Sequence, residues 1–336
     1  MSDTADTLSP TPQAAATSLV ERASVALQRM RTEIGKALVG QQEAIEHVLI
    51  ALLAGGHVLI EGVPGLGKTL MVRALAKTFD GSFSRIQFTP DLMPSDVTGH
   101  ALYDLKSQEF SVRRGPVFSN LVLADEINRA PAKTQAALLE AMQEGQVTID
   151  GNAFNLPKPF LVMATQNPIE QEGTYPLPEA QLDRFLLKVV IGYPTMDEER
   201  RLLSLVTSGR VGDTLDVDKL ATVISPTAMQ NIQQITAGIR IDDKVRDYAA
   251  EIVRATRDWP GVAVGAGPRG GIALLRAARG SALLEQRDFV IPDDVKRLAV
   301  PALRHRLVLS AELEMEGQSA DDVIRAILEK VKAPRL

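Results

Sequence analysis

The chain has 336 residues, enough for two cores, and its 45% hydrophobic and 24% charged residues are those of a globular protein. With 4% aromatics and a formal net charge of −5, it argues against a surface that coats nucleic acid through excess cation or aromatic stacking. The lack of cysteine excludes disulfides, thiolate nucleophiles and zinc–thiolate clusters, and four scattered histidines make poor material for a metal centre, so a cytosolic chain is expected.

Residues 1–17 are polar and acidic with no apolar core, and are expected to form a disordered tail rather than a signal peptide or anchor. Val20 to Leu38 and Gln42 to Ala54 carry apolar residues at helical spacing. The apolar run "LLAGGHVLI" is too short to cross a bilayer and is broken by Gly55, Gly56 and His57, so it reads as helix, turn and buried strand, and membrane insertion is not expected. A helix over Lys68–Thr78, a strand over Ser84–Phe88, the buried strands "NLVLADE" and "PFLVMATQN", a helix over Lys133–Glu144 between them and a strand over Leu186–Ile191 follow. This alternation implies an α/β fold, a parallel sheet covered by helices on both faces.

Gln87–Gly99, "QFTPDLMPSDVTG", has neither period: Pro90 and Pro94 withhold donors, and Asp91, Ser95 and Asp96 suit turns and caps. His100–Pro116 and Gly145–Pro157 alternate polar and apolar residues between turn formers, as hairpins do, and each reads as an insertion. From Met196 the pattern is amphipathic helix: Asp197–Thr207, Thr227–Ala237, Asp242–Thr256, Arg269–Glu285, Pro292–Leu303 and Asp322–Val331. The domain boundary is placed near Pro194, giving a nucleotide-binding domain over 18–194 and a helical lid over 195–336.

The nucleotide assignment rests on "GVPGLGKT", which fits G-x-x-x-x-G-K-[ST] between a strand and a helix. Gly62, Val63, Pro64, Gly65, Leu66 and Gly67 would wrap phosphates with backbone N–H groups, with Leu70 just inside the helix. Lys68 would reach the outer phosphates of ATP, and the Thr69 hydroxyl would hold Mg²⁺. In "LVLADE" a buried strand delivers Asp125 as a second Mg²⁺ ligand, directly or through water, and Glu126 as the group that polarises the attacking water. Asn167 follows the next buried strand and could hold that water or the γ-phosphate, against an Asx turn before Pro168. In "GAGPRGG", Pro268 suits the first helical position and sets Arg269 in the first turn, within reach of a γ-phosphate. Arg184, before the last strand, makes sense as an arginine finger only in an oligomer, against an ordinary surface salt bridge. Gln87, at a strand end, is a candidate switch that holds Glu126 unproductive, against a plain strand-end amide.

In this order the motifs resemble those of the AAA+ ATPases. The wording of "FTPDLMPSDVTG" and "EGTYPLPEAQLDRF" resembles the MoxR family, and the likeness runs from "ALVGQQEAI" to "PALRHRL", nearly the whole chain. That resemblance implies an αβα nucleotide domain and a helical lid, joined in a ring, usually a hexamer, with ATP at subunit junctions. It implies a helix-2 insert and a pre-sensor-1 hairpin at His100–Pro116 and Gly145–Pro157, and an approach of Val39, Gly40 and Gln41 to adenine or ribose. The displaced lid of this family leaves two assignments for Arg269, its own nucleotide or a neighbour's. The usual "GASPR" is "GAGPR" here, with Gly267 in place of serine, which touches only the local cap.

By the same resemblance the function is chaperone-like: ATP hydrolysis that matures, assembles or loads cofactor into client complexes, with a von Willebrand factor A domain protein as partner. A nucleic-acid motor gripping backbone through Lys106, Arg113 and Arg114, a nucleotide-gated scaffold and a magnesium chelatase motor are the alternatives. Arg129, just past the acidic pair, is expected to be structural, with contact to a neighbouring subunit as the alternative.

Overall fold

The computed structural model describes residues 12–63, 65–105, 108–167, 174–207 and 217–335. Pro64, Lys106 and most of the expected tail lie outside the described residues. The first half runs α1 (Pro12–Ala37), α2 (Gln42–Leu53), β1 (Val58–Glu61), α3 (Lys68–Thr78), β2 (Phe83–Gln87), α4 (Pro94–Thr98), β3 (Gly99–Asp104), β4 (Glu109–Arg114) and β5 (Leu121–Asp125). It continues through α5 (Ala132–Glu144), β6 (Gln146–Ile149), β7 (Asn152–Asn155), β8 (Leu161–Gln166), α6 (Glu179–Leu182) and β9 (Leu187–Val190). The remainder is α7 (Met196–Thr207), α8 (Pro226–Gly238), α9 (Asp243–Arg257), β10 (Val262–Val264), α10 (Pro268–Leu284), α11 (Pro292–Leu303), β11 (Val308–Leu309), α12 (Ala311–Met315) and α13 (Ala320–Lys330).

Five strands form a parallel sheet in the order β2-β5-β8-β1-β9. Its strands are apolar without a break because both faces are covered, and the two-residue period divides each run between two cores. Val58 and Ile60, Leu121 and Leu123, Leu161 and Met163, and Leu187 and Val189 face one core with α1, α2, α3 and the helices α8 to α11. Leu59, Val122, Ala124, Val162 and Ala164 face the other, closed by α5. Burying each such Leu, Val or Ile contributes about 1.5–3 kcal/mol, so a one-residue slip of any strand would exchange the two faces at heavy cost. The result is an αβα core followed by a mostly helical lid.

Some elements depart from the expectations. Helix α1 starts at Pro12, ahead of the expected Val20. Within Gln87–Gly99, Pro94 at the first helical position and the Asp96 carboxylate, accepting from Met93 N at 2.8 Å, start the single turn α4. The short pair β10/β11 in the lid was not anticipated, being too short for a two-residue period to register. Both expected hairpins are present as antiparallel pairs, β3 with β4 and β6 with β7.

His57 immediately precedes β1 and is buried on the side of the sheet closed by α5. Its Nδ1 accepts from Val162 N at 3.0 Å, which leaves Nε2 to donate to Met142 O at 3.0 Å, so the ring is held neutral. Burial pushes its pKa down to about 4 from the ordinary 6.5. The unfolded chain therefore binds the proton first on acidification. Stability present above pH 6.5 is lost as the pH falls toward 4, by about 3 kcal/mol for this group. His305, also buried and held below its usual range, acts in the same direction. Urea unfolding at pH 7 and pH 5 is expected to record this loss, with a shallower slope in His57→Gln.

Candidate functional site

The carboxyl ends of the parallel strands are where such a sheet leaves a crevice, and most of the expected site residues stand there. Gly62 leaves β1 with its N–H on Gln166 O at 3.4 Å, and Val63 follows half-buried. Gly65 and Gly67 have φ of 86° and 78°, the left-handed region that a side chain disfavours. Gly67 is the N-cap of α3, so the loop runs into the positive end of a helix dipole. Lys68 opens α3 and folds back, its Nζ donating to Gly62 O at 2.5 Å. Burial lowers its pKa, while Asp125 and Glu126 oppose that shift. Thr69 follows on α3, and Leu66 and Leu70 anchor the loop on the apolar core.

The turn Val39–Gly40–Gln41 meets this loop. Gly40 and Gln41 are both left-handed, and Gln41 Nε2 donates to Leu66 O at 2.9 Å. Gln41 Oε1 is buried with no hydrogen-bond partner. A buried amide oxygen left unmet beside an N–H-rich loop fits a ligand that brings its own donor, as an adenine or ribose would.

Beside the loop, β5 ends in Asp125, and Glu126 follows it. Thr165 on the neighbouring β8 donates its hydroxyl to Asp125 Oδ1 at 2.6 Å and accepts Glu126 N at 2.8 Å, fixing both residues at once. Glu126 adopts a left-handed φ of 56°, which turns its side chain off the strand line. Its Oε2 accepts from Gln87 Nε2 at 2.8 Å and from Arg129 at 3.0 Å. Asp125 Oδ2 accepts from Arg85 at 2.6 Å. Asn167 lies just past β8, buried at the same end of the sheet. The donor set for a divalent cation is one carboxylate and one hydroxyl, all hard oxygen. Such a set fits Mg²⁺, which keeps waters and takes substrate phosphate oxygens for the rest of its shell; Asp125 and Thr69 would hold it, and it would supply charge neutralisation at the phosphates.

Arg184 and Arg269 are elsewhere. Leu186 N bonds His57 O at 2.8 Å, which sets Arg184 at the amino end of the sheet. There a cavity of about 470 Å³ lies between core and lid, lined among others by Gly55, Arg184, Arg269, Arg276 and Arg306. The four residues of β1 put about 13 Å of strand between this cavity and the phosphate loop. Arg184 donates to Leu139 O at 2.8 Å and keeps a buried Nε without a partner. Arg269 follows Gly267 and Pro268 at the start of α10, mostly exposed and 3.9 Å from Asp183. Asp183 is itself anchored at 2.7 Å by the deeply buried Arg306.

Comparison with known proteins gives these features a family. The family model "ATPase family associated with various cellular activities (AAA)" matches residues 57–187, and the model "AAA lid domain" matches 254–327. The chain is 46% identical to Chaperone MoxR1 of Mycobacterium tuberculosis over 92% of its own length and 83% of that protein's. It is 36% identical to Protein MoxR of Methylorubrum extorquens over 92% and 95%. The chain belongs to the MoxR family of AAA+ ATPases. A crystal structure of a candidate ATPase from Cytophaga hutchinsonii has the same fold as this MoxR-family chain, with a TM-score of 0.87 at 42% identity, covering 96% of this chain and 98% of that one.

Four polar residues of this MoxR-family chain stand at the two sites without having been singled out for them. The sequence offers no role for Arg85, Thr165 or Asp183, and Arg129, expected to be structural, makes its contact within the chain, on the Glu126 carboxylate. A signal existed for Thr165, a hydroxyl in the apolar run "LVMATQ". For Arg85 and Asp183 the partner comes from an element distant in sequence, while Arg129 reaches Glu126 from three residues on, across one short turn.

Proposed function

We propose that the chain hydrolyses ATP with Mg²⁺ as a ring, expected to be a hexamer, and uses the turnover to remodel, assemble or mature client protein complexes, including cofactor or metal insertion. The observation that carries this reading is the division of the reactive groups. Lys68, Asp125 and Glu126 lie at one end of the sheet, while Arg184 and Arg269 line a cavity at the other. A nucleotide on the phosphate loop lies at the opposite end of the sheet from its own subunit's Arg184 and Arg269, which supports a site completed by a second copy. This supports a trans assignment for both arginines, the alternative the sequence leaves open for Arg269.

In this reading Glu126 polarises the attacking water, Asn167 holds the water or γ-phosphate, and Val39 to Gln41 take the adenine side. The domains are 18–194 and 195–336, and the β3/β4 and β6/β7 hairpins are the parts that meet clients. The expected partner is a von Willebrand factor A domain protein, in the cytoplasm. Among the described residues no helix is long and apolar enough to cross a membrane. Expected results are ATPase activity per subunit that rises with assembly, measured across a concentration series, and client capture that depends on ATP. Absence of hydrolysis in every oligomeric form would refute the reading.

Gln87 restrains Glu126 through its 2.8 Å hydrogen bond. Gln87→Ala is expected to raise basal ATPase several-fold and weaken stimulation by client, because one charge-assisted bond to the carboxylate is lost. Steady-state turnover with and without client checks this; an unchanged ratio removes the switch.

A further inference from the structure

We propose that Arg85 is a positioning residue that ties the Asp125 carboxylate to the Glu126 carboxylate through Gln87, so that Glu126 stays restrained for as long as Asp125 lacks a divalent cation. This rests on the roles proposed above for Asp125 and Glu126.

The geometry is a continuous chain of bonds. Arg85 and Gln87 are two residues apart on β2, so they project on one side of the strand, and β2 pairs with β5 so that Gln87 stands opposite Asp125. Arg85 donates to Asp125 Oδ2 from Nε at 3.1 Å and from a terminal nitrogen at 2.6 Å. The same terminal nitrogen donates to Gln87 Oε1 at 2.9 Å. With its oxygen so engaged, the Gln87 amide presents its NH₂ to Glu126 Oε2, at 2.8 Å. Arg85 therefore decides which end of the amide faces Glu126.

Asp125 has two oxygens. Thr165 occupies Oδ1, and Arg85 occupies Oδ2, the oxygen a divalent cation would need. Guanidinium and dication repel each other and compete for one atom. The Arg85 side chain is 48% exposed, so the pair it makes is weak enough to be displaced. Once Arg85 leaves Asp125, it no longer fixes Gln87 Oε1, and the amide is free to turn off Glu126. An ordinary surface ion pair would hold Asp125 without any consequence for Glu126; the bridge through Gln87 is what makes the two carboxylates respond together.

The test uses the full chain with ADP present and Mn²⁺ as the probe, its binding followed by electron paramagnetic resonance, beside basal ATPase. Arg85→Gln is expected to tighten Mn²⁺ binding about three- to fivefold, the scale of a half-exposed ion pair, while Gln87→Ala leaves it unchanged. At limiting Mg²⁺ basal turnover is expected to rise in both Arg85→Gln and Gln87→Ala, and in the double variant no further than in Arg85→Gln, since both break one chain. Arg85→Lys, which keeps the charge and loses the fork, is expected to raise turnover as Arg85→Gln does. Unchanged Mn²⁺ binding in Arg85→Gln, additive effects in the double variant, or wild-type turnover in Arg85→Lys would each overturn the proposal. A chain that hydrolyses no ATP would sink the proposed function, and the Mn²⁺ arm would still report on Arg85.

Discussion

Arg184→Ala is expected to lower ATP turnover about a thousandfold while leaving ATP affinity within a few-fold, the scale on which an arginine that stabilises phosphoryl-transfer charge acts. The argument is positional. Arg184 precedes β9 at the amino end of the sheet and lines the cavity it shares with Arg269, whereas the phosphate loop follows the carboxyl end of β1. A side chain at the opposite end of the sheet from its own nucleotide leaves that nucleotide's binding alone. In the isolated chain Arg184 spends one donor on Leu139 O and leaves Nε unmet, so its removal should cost no more than about 1 kcal/mol of stability. A thermal unfolding scan separates that small cost from the large kinetic one. Arg184→Lys should recover little, because an ammonium cannot offer the planar fork.

Glu126→Gln should lower turnover by about a hundred- to ten-thousandfold, the range for removal of a general base, and hold ATP in the site. The substitution is isosteric and leaves the backbone untouched. The left-handed conformation of residue 126 and its N–H bond to Thr165 therefore survive, and Asp125 keeps both its partners. Single-turnover measurement with radiolabelled ATP checks it: bound ATP should persist in the variant and be consumed in the wild type. Equal rates in the two would place the base elsewhere.

These two residues mark how far the sequence reaches. Glu126 was legible because its motif is local: an apolar strand ends and two carboxylates follow, and strand plus phosphate loop fix the end of the sheet on which they fall. The parallel sheet was legible for the same reason, since each buried strand is a short apolar run between helices. What surrounds Glu126 was not. Arg85, Thr165 and Arg129 reach it or its neighbour through strand order and one short turn, and the order β2-β5-β8-β1-β9 is not written in any period. Arg184 and Arg269 were found as candidates from their local contexts, before a strand and at a helix start. That both fall at the far end of the sheet from Lys68, beside Arg306 and Asp183, emerges only when the lid is packed on the core.

The central claim is a catalytic site completed by a second copy of the chain, and mixing two dead variants tests it most directly. Arg184→Ala subunits keep an intact phosphate loop, and Lys68→Ala subunits keep an intact arginine. Rings assembled from both should hydrolyse ATP faster than either variant alone, at junctions where a Lys68 of one subunit faces an Arg184 of the next. Turnover equal to the sum of the separate variants, in rings shown to be mixed, would contradict the account.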